Sequence, residues 1–156
     1  MIETARVGDA DLDELLPLVR AYCDFYDVAP TDAALLAVSC ALIADPDREG
    51  IQLIARDGAE AVGFATVYWS WSTLTAARIG IMYDLYVAPA ARGKGVADAL
   101  IAACVDECRR HGADELTWQT AKDNARAQRV YDRLGALRSE WVDYSLGVQR
   151  DDAPRP

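Results

Sequence analysis

Hydrophobic residues recur along the chain with two different spacings, which predict strands and amphipathic helices in turn. A two-residue spacing, typical of strands, marks residues 2–7, 51–56, 61–71, 78–88, 115–120 and 137–148, the last being firmest at 141–146. A spacing of about 3.6 residues, typical of helices, marks the stretches between residues 9 and 26, 31 and 45, 97 and 111, and 123 and 135. The order β-α-α-β-β-β-α-β-α-β predicts an α/β or α+β fold, in which helices cover both faces of a mixed sheet in three layers.

Two connections set the expected strand directions. Asp57-Gly58 lies between two strand segments and predicts an antiparallel hairpin. The strand-loop-helix-strand unit at residues 78–120 predicts a parallel crossover. Residues 1–148 are therefore expected to form one domain. Residues 149–156 are charged, contain prolines and have no apolar face, so they are expected to be a disordered tail.

Composition narrows the class of protein. A length of 156 residues suits a single domain with a sizeable core, and a net charge of −9 opposes binding to a nucleic-acid backbone. No apolar run reaches the ~20 residues of a membrane-spanning helix. The four cysteines show no metal-site spacing and no segment resembles a signal peptide, so a cytoplasmic location and free thiols are expected. The one histidine, His111, precedes Gly112 at a predicted helix end, and no metal site is expected.

A glycine-rich basic turn, Arg92-Gly93-Lys94-Gly95, lies between a predicted strand and a predicted helix. Two glycines allow positive φ angles, so that backbone N–H groups can converge on an anion at the helix N-terminus. The spacing fits neither a Walker loop nor a dinucleotide fingerprint. The turn predicts a phosphate-binding site, and an ordinary strand-to-helix connection is the alternative reading.

Two sequence blocks together carry a resemblance to a known family. Residues 92–97 fit R-x-x-G-x-A, and residues 118–136 read WQTAKDNARAQRVYDRLGA. Over essentially the whole chain, the sequence resembles the Gcn5-related N-acetyltransferase (GNAT) superfamily. The runs DLYVAP, RGKGVADALI, L-x-W and N-x-x-A-x-x-x-Y are most similar to the branch that acetylates polyamines, basic peptides and histone tails. The resemblance implies an acetyl-CoA-dependent enzyme that transfers acetyl directly to a primary amine in a ternary complex.

The resemblance also implies a cofactor site. The strand end pairs with the pantetheine arm through the backbone of Leu85, Tyr86 and Val87, and the Val87 N–H faces the thioester oxygen. Backbone amides hold the diphosphate, and they belong to Arg92, Gly93, Lys94, Gly95, Val96 and Ala97. Asn124 either serves the cofactor or caps its helix, and the sequence leaves both readings open.

Two residues are candidates for the chemical step. In the family, the tyrosine that matches Tyr131 protonates the departing thiolate, while the alternative reading is a core tyrosine. The polyamine branch often has Glu-Asp where this chain has Tyr83-Asp84, so Asp84 is the surviving carboxylate. Strand alternation is expected to place Asp84 and Tyr83 on opposite faces, which makes a water relay at least as plausible as a side-chain base.

The acceptor pocket is expected at the end of the first helix and beside the hairpin. An aromatic and acidic wall suited to a cation is predicted from Tyr22, Asp24, Tyr26, Asp27, Trp69 and Trp71, with Tyr83 and Trp118 also assigned to the substrate. The resemblance further implies a homodimer. The alternatives are a non-catalytic acyl-CoA sensor, or an enzyme acting on an aminoglycoside, an amino acid or a protein N-terminus.

Overall fold

The structure is a computed structural model that describes residues 1–148, and the predicted tail at 149–156 lies outside the described residues. Within residues 1–148 there are five strands, and these are β1 (Ile2–Arg6), β2 (Gly50–Asp57), β3 (Glu60–Ser72), β4 (Ala77–Val87) and β5 (Ala113–Thr117). The same described residues form four α-helices, and these are α1 (Leu12–Phe25), α2 (Asp32–Ala44), α3 (Val96–His111) and α4 (Ala125–Arg133). Single 3-10 turns at Asp9–Asp11 and Pro89–Ala91 precede α1 and follow β4.

The strands form one mixed sheet in the order β1-β2-β3-β4-β5. The first three pairs are antiparallel, and β4 and β5, which α3 connects, are parallel. The predicted hairpin and the predicted crossover are both confirmed. Local signals set the helix boundaries near the predicted positions. Thr31 caps the start of α2, where its Oγ1 accepts the N–H of Ala34 at 3.2 Å, and Gly112 ends α3 at a φ of 71°.

Helices cover both faces of the sheet, which confirms the predicted three layers. On one face α3 buries Leu100 and Cys104 against β2, β3 and β4. On the other face α1 buries Leu15 and Leu18 against Ile54 and Phe64. Both faces of β3 are covered in this way, so its central residues are almost all buried, as expected for a strand packed between helices.

A buried carboxylate ties β1 to α3. Glu107 is 4% exposed, and it accepts Arg6 Nε at 2.8 Å and Arg110 Nη2 at 2.5 Å. Burial alone would raise the pKa of Glu107, but the two arginines outweigh it and hold that pKa below its ordinary value. The pair between Arg6 and Glu107 therefore holds α3 against β1, while Arg110 pairs with Glu107 within α3.

The predicted final strand at residues 137–148 is wrong, because this segment forms neither strand nor helix. Its apolar residues lie in solvent, with Leu137 96%, Trp141 84% and Tyr144 93% exposed. A two-residue spacing specifies which side chains share a face, whereas a strand also needs a neighbouring strand that supplies hydrogen bonds. Here β5 is the last strand of the sheet that the structure describes.

Helix length sets one further limit on the described residues. Within residues 1–148 no helix is both long enough and apolar enough to cross a membrane.

Candidate active site

A groove opens where β4 and β5 separate. The two strands pair only from Arg78 to Ile81 on β4, and β4 then continues to Val87 without β5 beside it. The groove has a volume of about 890 Å³. Its walls are the open edge of β4, the last turn of α1, the first turn of α3, the segment after β5, and α4.

The backbone of β4 presents hydrogen-bonding groups to this groove. The N–H of Ala88 donates to the carbonyl of Val62 on β3 at 2.9 Å. Successive residues of a strand direct their N–H and C=O groups to opposite edges, so those of Val87 point away from β3. The Val87 carbonyl accordingly accepts Arg92 Nε at 3.0 Å. Val87 therefore offers its N–H at the open edge.

The glycine turn lies at one end of the groove and fits a phosphate. Gly93 and Gly95 have φ values of 78° and 84°, and a Cβ on either would extend into open space. Their conformation rather than crowding thus requires glycine. Val96 begins α3, and the first N–H groups of a helix lack intrahelical acceptors. These groups and Arg92 suit a diphosphate, whereas Lys94 is exposed and does not line the groove.

Tyr131 enters the groove from α4 opposite the strand edge. Its ring packs edge-on against Trp118 with 5.2 Å between centroids, and both residues line the groove. Burial, and then the nearby Tyr26, raise the pKa of Tyr131 above its ordinary value of 10.0. The hydroxyl is therefore protonated at neutral pH. Asn124 also lines the groove, and its side chain caps α4 by accepting the N–H of Ala127 at 3.2 Å.

A β-bulge changes the predicted arrangement of Tyr83 and Asp84. Thr66 pairs with Asp84 and Val67 with Met82, so Tyr83 is an extra residue on β4. Asp84 thereby lies beside Thr66, while Tyr83 packs edge-on against Tyr68 at 5.6 Å. Thr66 and Tyr68 share one face of β3, so the prediction that Tyr83 and Asp84 occupy opposite faces is wrong. Alternation fails here because the bulge inserts a residue.

Asp84 belongs to a polar chain beneath the groove. Burial raises the pKa of Asp84, and the nearby hydroxyl groups of Thr66 and Tyr22 oppose the rise. Burial, and then the charge of Asp84, raise the pKa of Tyr22 far above its ordinary value, so this phenol remains protonated. Tyr22 lines the groove and Asp84 does not. Asp84 is therefore separated from the groove by the side chain of Tyr22.

The polar chain extends to a residue that the sequence analysis did not single out. Gln52 on β2 is buried, and its Nε2 donates to Thr66 Oγ1 at 3.2 Å. Its Oε1 has no hydrogen-bond partner in the part of the chain that the structure describes. The sequence does contain a signal for this contact, since Gln52 and Thr66 are the polar residues inside the otherwise apolar runs IQLIA and FATVY. A buried polar side chain needs a hydrogen-bonding partner, so two such residues on neighbouring strands suggest a pair.

The acceptor end of the groove is aromatic rather than acidic. Tyr22, Phe25 and Tyr26 line it from α1, and the rings of Tyr22 and Tyr26 lie 5.1 Å apart. Residues three and four apart share a helix face, so Asp24 points elsewhere and is exposed. Asp27 is also exposed outside the groove lining.

The two hairpin tryptophans do not complete this wall either. Trp69 stacks on His111 with centroids 4.0 Å apart, and Trp71 packs under Arg78. The predicted acidic residues and these tryptophans are therefore absent from the groove lining.

Comparison with known proteins decides the family. Residues 15–136 match the model of the Acetyltransferase (GNAT) family. The chain belongs to this family. An uncharacterized N-acetyltransferase of Bacillus subtilis, YhfO, is 34% identical over 148 residues, which cover 94% of this chain and 97% of the relative. This GNAT protein is accordingly an N-acetyltransferase, and acyl-CoA use is the family property that its groove must accommodate.

Solved structures support the same fold. The crystal structure of a probable acetyltransferase has a TM-score of 0.81 and 27% identity, and the match covers 96% of this chain and 99% of that one. An aminoglycoside N-acetyltransferase in complex with CoA, AAC(6')-Iy, has a TM-score of 0.82 and 23% identity over 94% of this chain and 95% of its own. The second likeness concerns the fold alone.

Proposed function

We propose that this GNAT enzyme transfers the acetyl group of acetyl-CoA to a primary amine, on a polyamine, a small amine or a basic peptide, by direct attack in a ternary complex. The observation that carries the proposal is the open edge of β4 within the groove. A phosphate-fitting turn lies at one end of this edge and an aromatic pocket at the other. A long donor and a short acceptor can therefore meet along this edge.

The strand edge supplies binding and activation of the donor. An extended pantetheine arm can pair with the N–H and C=O of Leu85, which by the same alternation point away from β3, as an added strand would. The Val87 N–H then donates to the thioester oxygen. Attack of the amine nitrogen on the carbonyl carbon moves negative charge onto that oxygen, and a fixed N–H stabilises this charge.

Direct transfer agrees with the state of the cysteines. None of the four lines the groove. Burial raises the pKa of Cys104 to about 12 and that of Cys108 to about 11, so both are thiols at neutral pH and poor nucleophiles. An acetyl-cysteine intermediate therefore has no support.

The acceptor must lose a proton before it attacks. An alkylammonium has a pKa of about 10.4, and the aromatic rings of Tyr22 and Tyr26 attract the cation while burial favours its neutral form. Asp84 receives the proton indirectly, through the Tyr22 hydroxyl or a water beside it. Its raised pKa makes it a better proton acceptor than an exposed aspartate.

Tyr131 acts when the C–S bond breaks. The electron pair of that bond leaves on sulfur as a thiolate, whose conjugate acid has a pKa of about 8.5. The pKa of Tyr131 lies above 10, so complete proton transfer from its hydroxyl to the thiolate is uphill. Tyr131 therefore stabilises the thiolate by donating a hydrogen bond. The nitrogen becomes positively charged when it attacks, and it loses a second proton as the amide forms. This second proton converts the thiolate into the free thiol of CoA.

Thiol release tests the proposal. The enzyme is incubated with acetyl-CoA and, in parallel, spermidine, a lysine peptide, an amino acid, an aminoglycoside or no acceptor, and free thiol is measured. The proposal predicts release that requires an amine and is fastest with the polyamine or lysine peptide. Fastest release with the aminoglycoside or the amino acid would contradict the acceptor class. Acetyl-CoA binding without amine-dependent release would contradict the activity.

A further inference from the structure

Three arginines line the groove from α4, and they are Arg126, Arg129 and Arg133. We call these three residues the α4 arginine row. Their spacing of three and four residues places them on one side of the helix. Arg92 adds a fourth cation to the lining, and Asp98 is the one acidic residue among the groove-lining residues of the described chain. The groove is thus locally positive although the chain has a net charge of −9.

A contact between two helices shows which end of the groove the row faces. Arg133 Nη2 donates to Asp98 Oδ1 at 2.6 Å, and Asp98 lies in the first turn of α3 beside the glycine turn. Tyr131 is two positions from both Arg129 and Arg133, about 200° around the helix axis from each. Arg133 therefore lies at the phosphate end of the groove, Arg126 and Arg129 share its side of α4, and Tyr131 points to the other side of the helix.

The members of the row differ in their partners. Arg133 neutralises Asp98, which would otherwise repel an anion bound at the start of α3. Arg126 and Arg129 form no ion pair with any carboxylate of residues 1–148, and both are exposed. Two guanidinium groups at one side of the groove are therefore available to a ligand.

We infer that Arg126 and Arg129 bind the 3′-phosphate of CoA, while Arg133 is a positioning residue that keeps Asp98 neutralised. The inference rests on the proposed function, since it assigns a further part of the same donor. Backbone N–H groups of the glycine turn and α3 suffice for the diphosphate. A phosphate monoester adds nearly two further negative charges at neutral pH, and guanidinium groups match its oxygens in geometry.

Calorimetric binding of CoA and dephospho-CoA to the whole chain tests the inference, because these two probes differ only in the 3′-phosphate. The wild type is expected to bind CoA about tenfold more tightly, a modest ratio because both arginines are exposed. In Arg126→Ala/Arg129→Ala the CoA dissociation constant rises about tenfold, and that of dephospho-CoA stays within about twofold, so the preference is lost.

A charge-matched control separates this effect from a change in net charge. Arg48→Ala/Arg109→Ala also removes two exposed arginines, and neither of these lines the groove. This variant is expected to keep the wild-type preference for CoA. Melting temperatures of both double variants check that each is folded.

Three results would overturn the inference. Equal weakening of CoA and dephospho-CoA binding in Arg126→Ala/Arg129→Ala would mean that the row binds the diphosphate or only adds to the overall positive potential of the groove. Unchanged binding of both ligands with a raised KM for the amine would assign the row to the acceptor. Tight binding of both ligands by the wild type, with no preference, would remove the 3′-phosphate site and leave the proposed activity intact. Failure of the wild type to bind either ligand would instead contradict the proposed function itself.

Discussion

Replacing Val87 by proline removes the backbone N–H that is assigned to the thioester oxygen. Proline is suited to this test because the Val87 N–H points away from β3, so no hydrogen bond of the sheet is lost. The side chain of Val87 is partly buried against the core, so some packing is lost as well.

The expected loss of kcat follows from the removal of a single hydrogen-bond donor. Loss of one oxyanion donor lowers kcat by about 10²- to 10³-fold, equivalent to about 3–4 kcal/mol of transition-state stabilisation. The folded protein loses only part of one valine side chain's packing, about 1 kcal/mol, which lowers the melting temperature by about 2–4 °C. Activity is therefore expected to fall far more than stability.

Ala88→Pro is the matched control. Ala88 has a φ of −52°, which proline accepts, but its N–H donates to Val62 on β3. Losing this bond and leaving the Val62 carbonyl unpaired costs about 2 kcal/mol, or about 4–8 °C in melting temperature. The assay is thiol release at saturating acetyl-CoA and amine, together with thermal melts. A Val87→Pro enzyme with kcat within about twofold of wild type would refute the assigned donor.

Three further substitutions test separate parts of the account. Tyr131→Phe keeps the ring packing and is expected to lower kcat about 10- to 100-fold with little change in CoA affinity, whereas an unchanged kcat would exclude its role at the thiolate. Asp84→Asn is expected to lower kcat/KM about 100-fold and abolish the acidic limb of its pH profile. Because the pKa of Asp84 is raised on folding, its charge opposes folding at neutral pH, so the variant should also melt at a higher temperature, and a lower one would contradict this sign. Glu107→Gln is expected to lower the free energy of unfolding at neutral pH by about 2 kcal/mol in denaturant titrations. The pKa of Glu107 is lowered on folding, so the stability difference between wild type and variant is largest above pH 4.5, the ordinary pKa of a glutamate. It disappears as the pH falls through the folded-state pKa. A stability difference that does not change with pH would contradict the charge pairs.

Much of the fold could be predicted because its signals are local. Thr31 caps a helix, Gly112 ends one, and Asp57-Gly58 turns a hairpin through each residue's own conformational preferences. The strand expected at residues 137–148 failed for the opposite reason. Alternating side chains indicate which face of a segment is apolar. Strand formation also needs hydrogen bonds to a neighbouring strand, and no local pattern specifies that neighbour.

In the candidate site, too, features set by local sequence could be predicted, and features set by contacts between elements could not. Glycine spacing predicted the turn at residues 92–95, and its positive φ angles in the structure agree with that reading. The bulge at Tyr83 depends on the register between two strands, so alternation alone misplaced Asp84. Spacing along α4 could show that the arginine row shares one side, whereas only the contact between Arg133 and Asp98 shows which end of the groove that side faces.

The most direct test of the proposed activity is the release of CoA thiol from acetyl-CoA, measured with and without spermidine, for the wild type and Val87→Pro. Amine-dependent release is expected from the wild type, and a loss of about 100-fold or more is expected in a folded Val87→Pro protein that still binds CoA. Absence of amine-dependent release by a wild type that binds acetyl-CoA would contradict this expectation, as would wild-type rates in the variant.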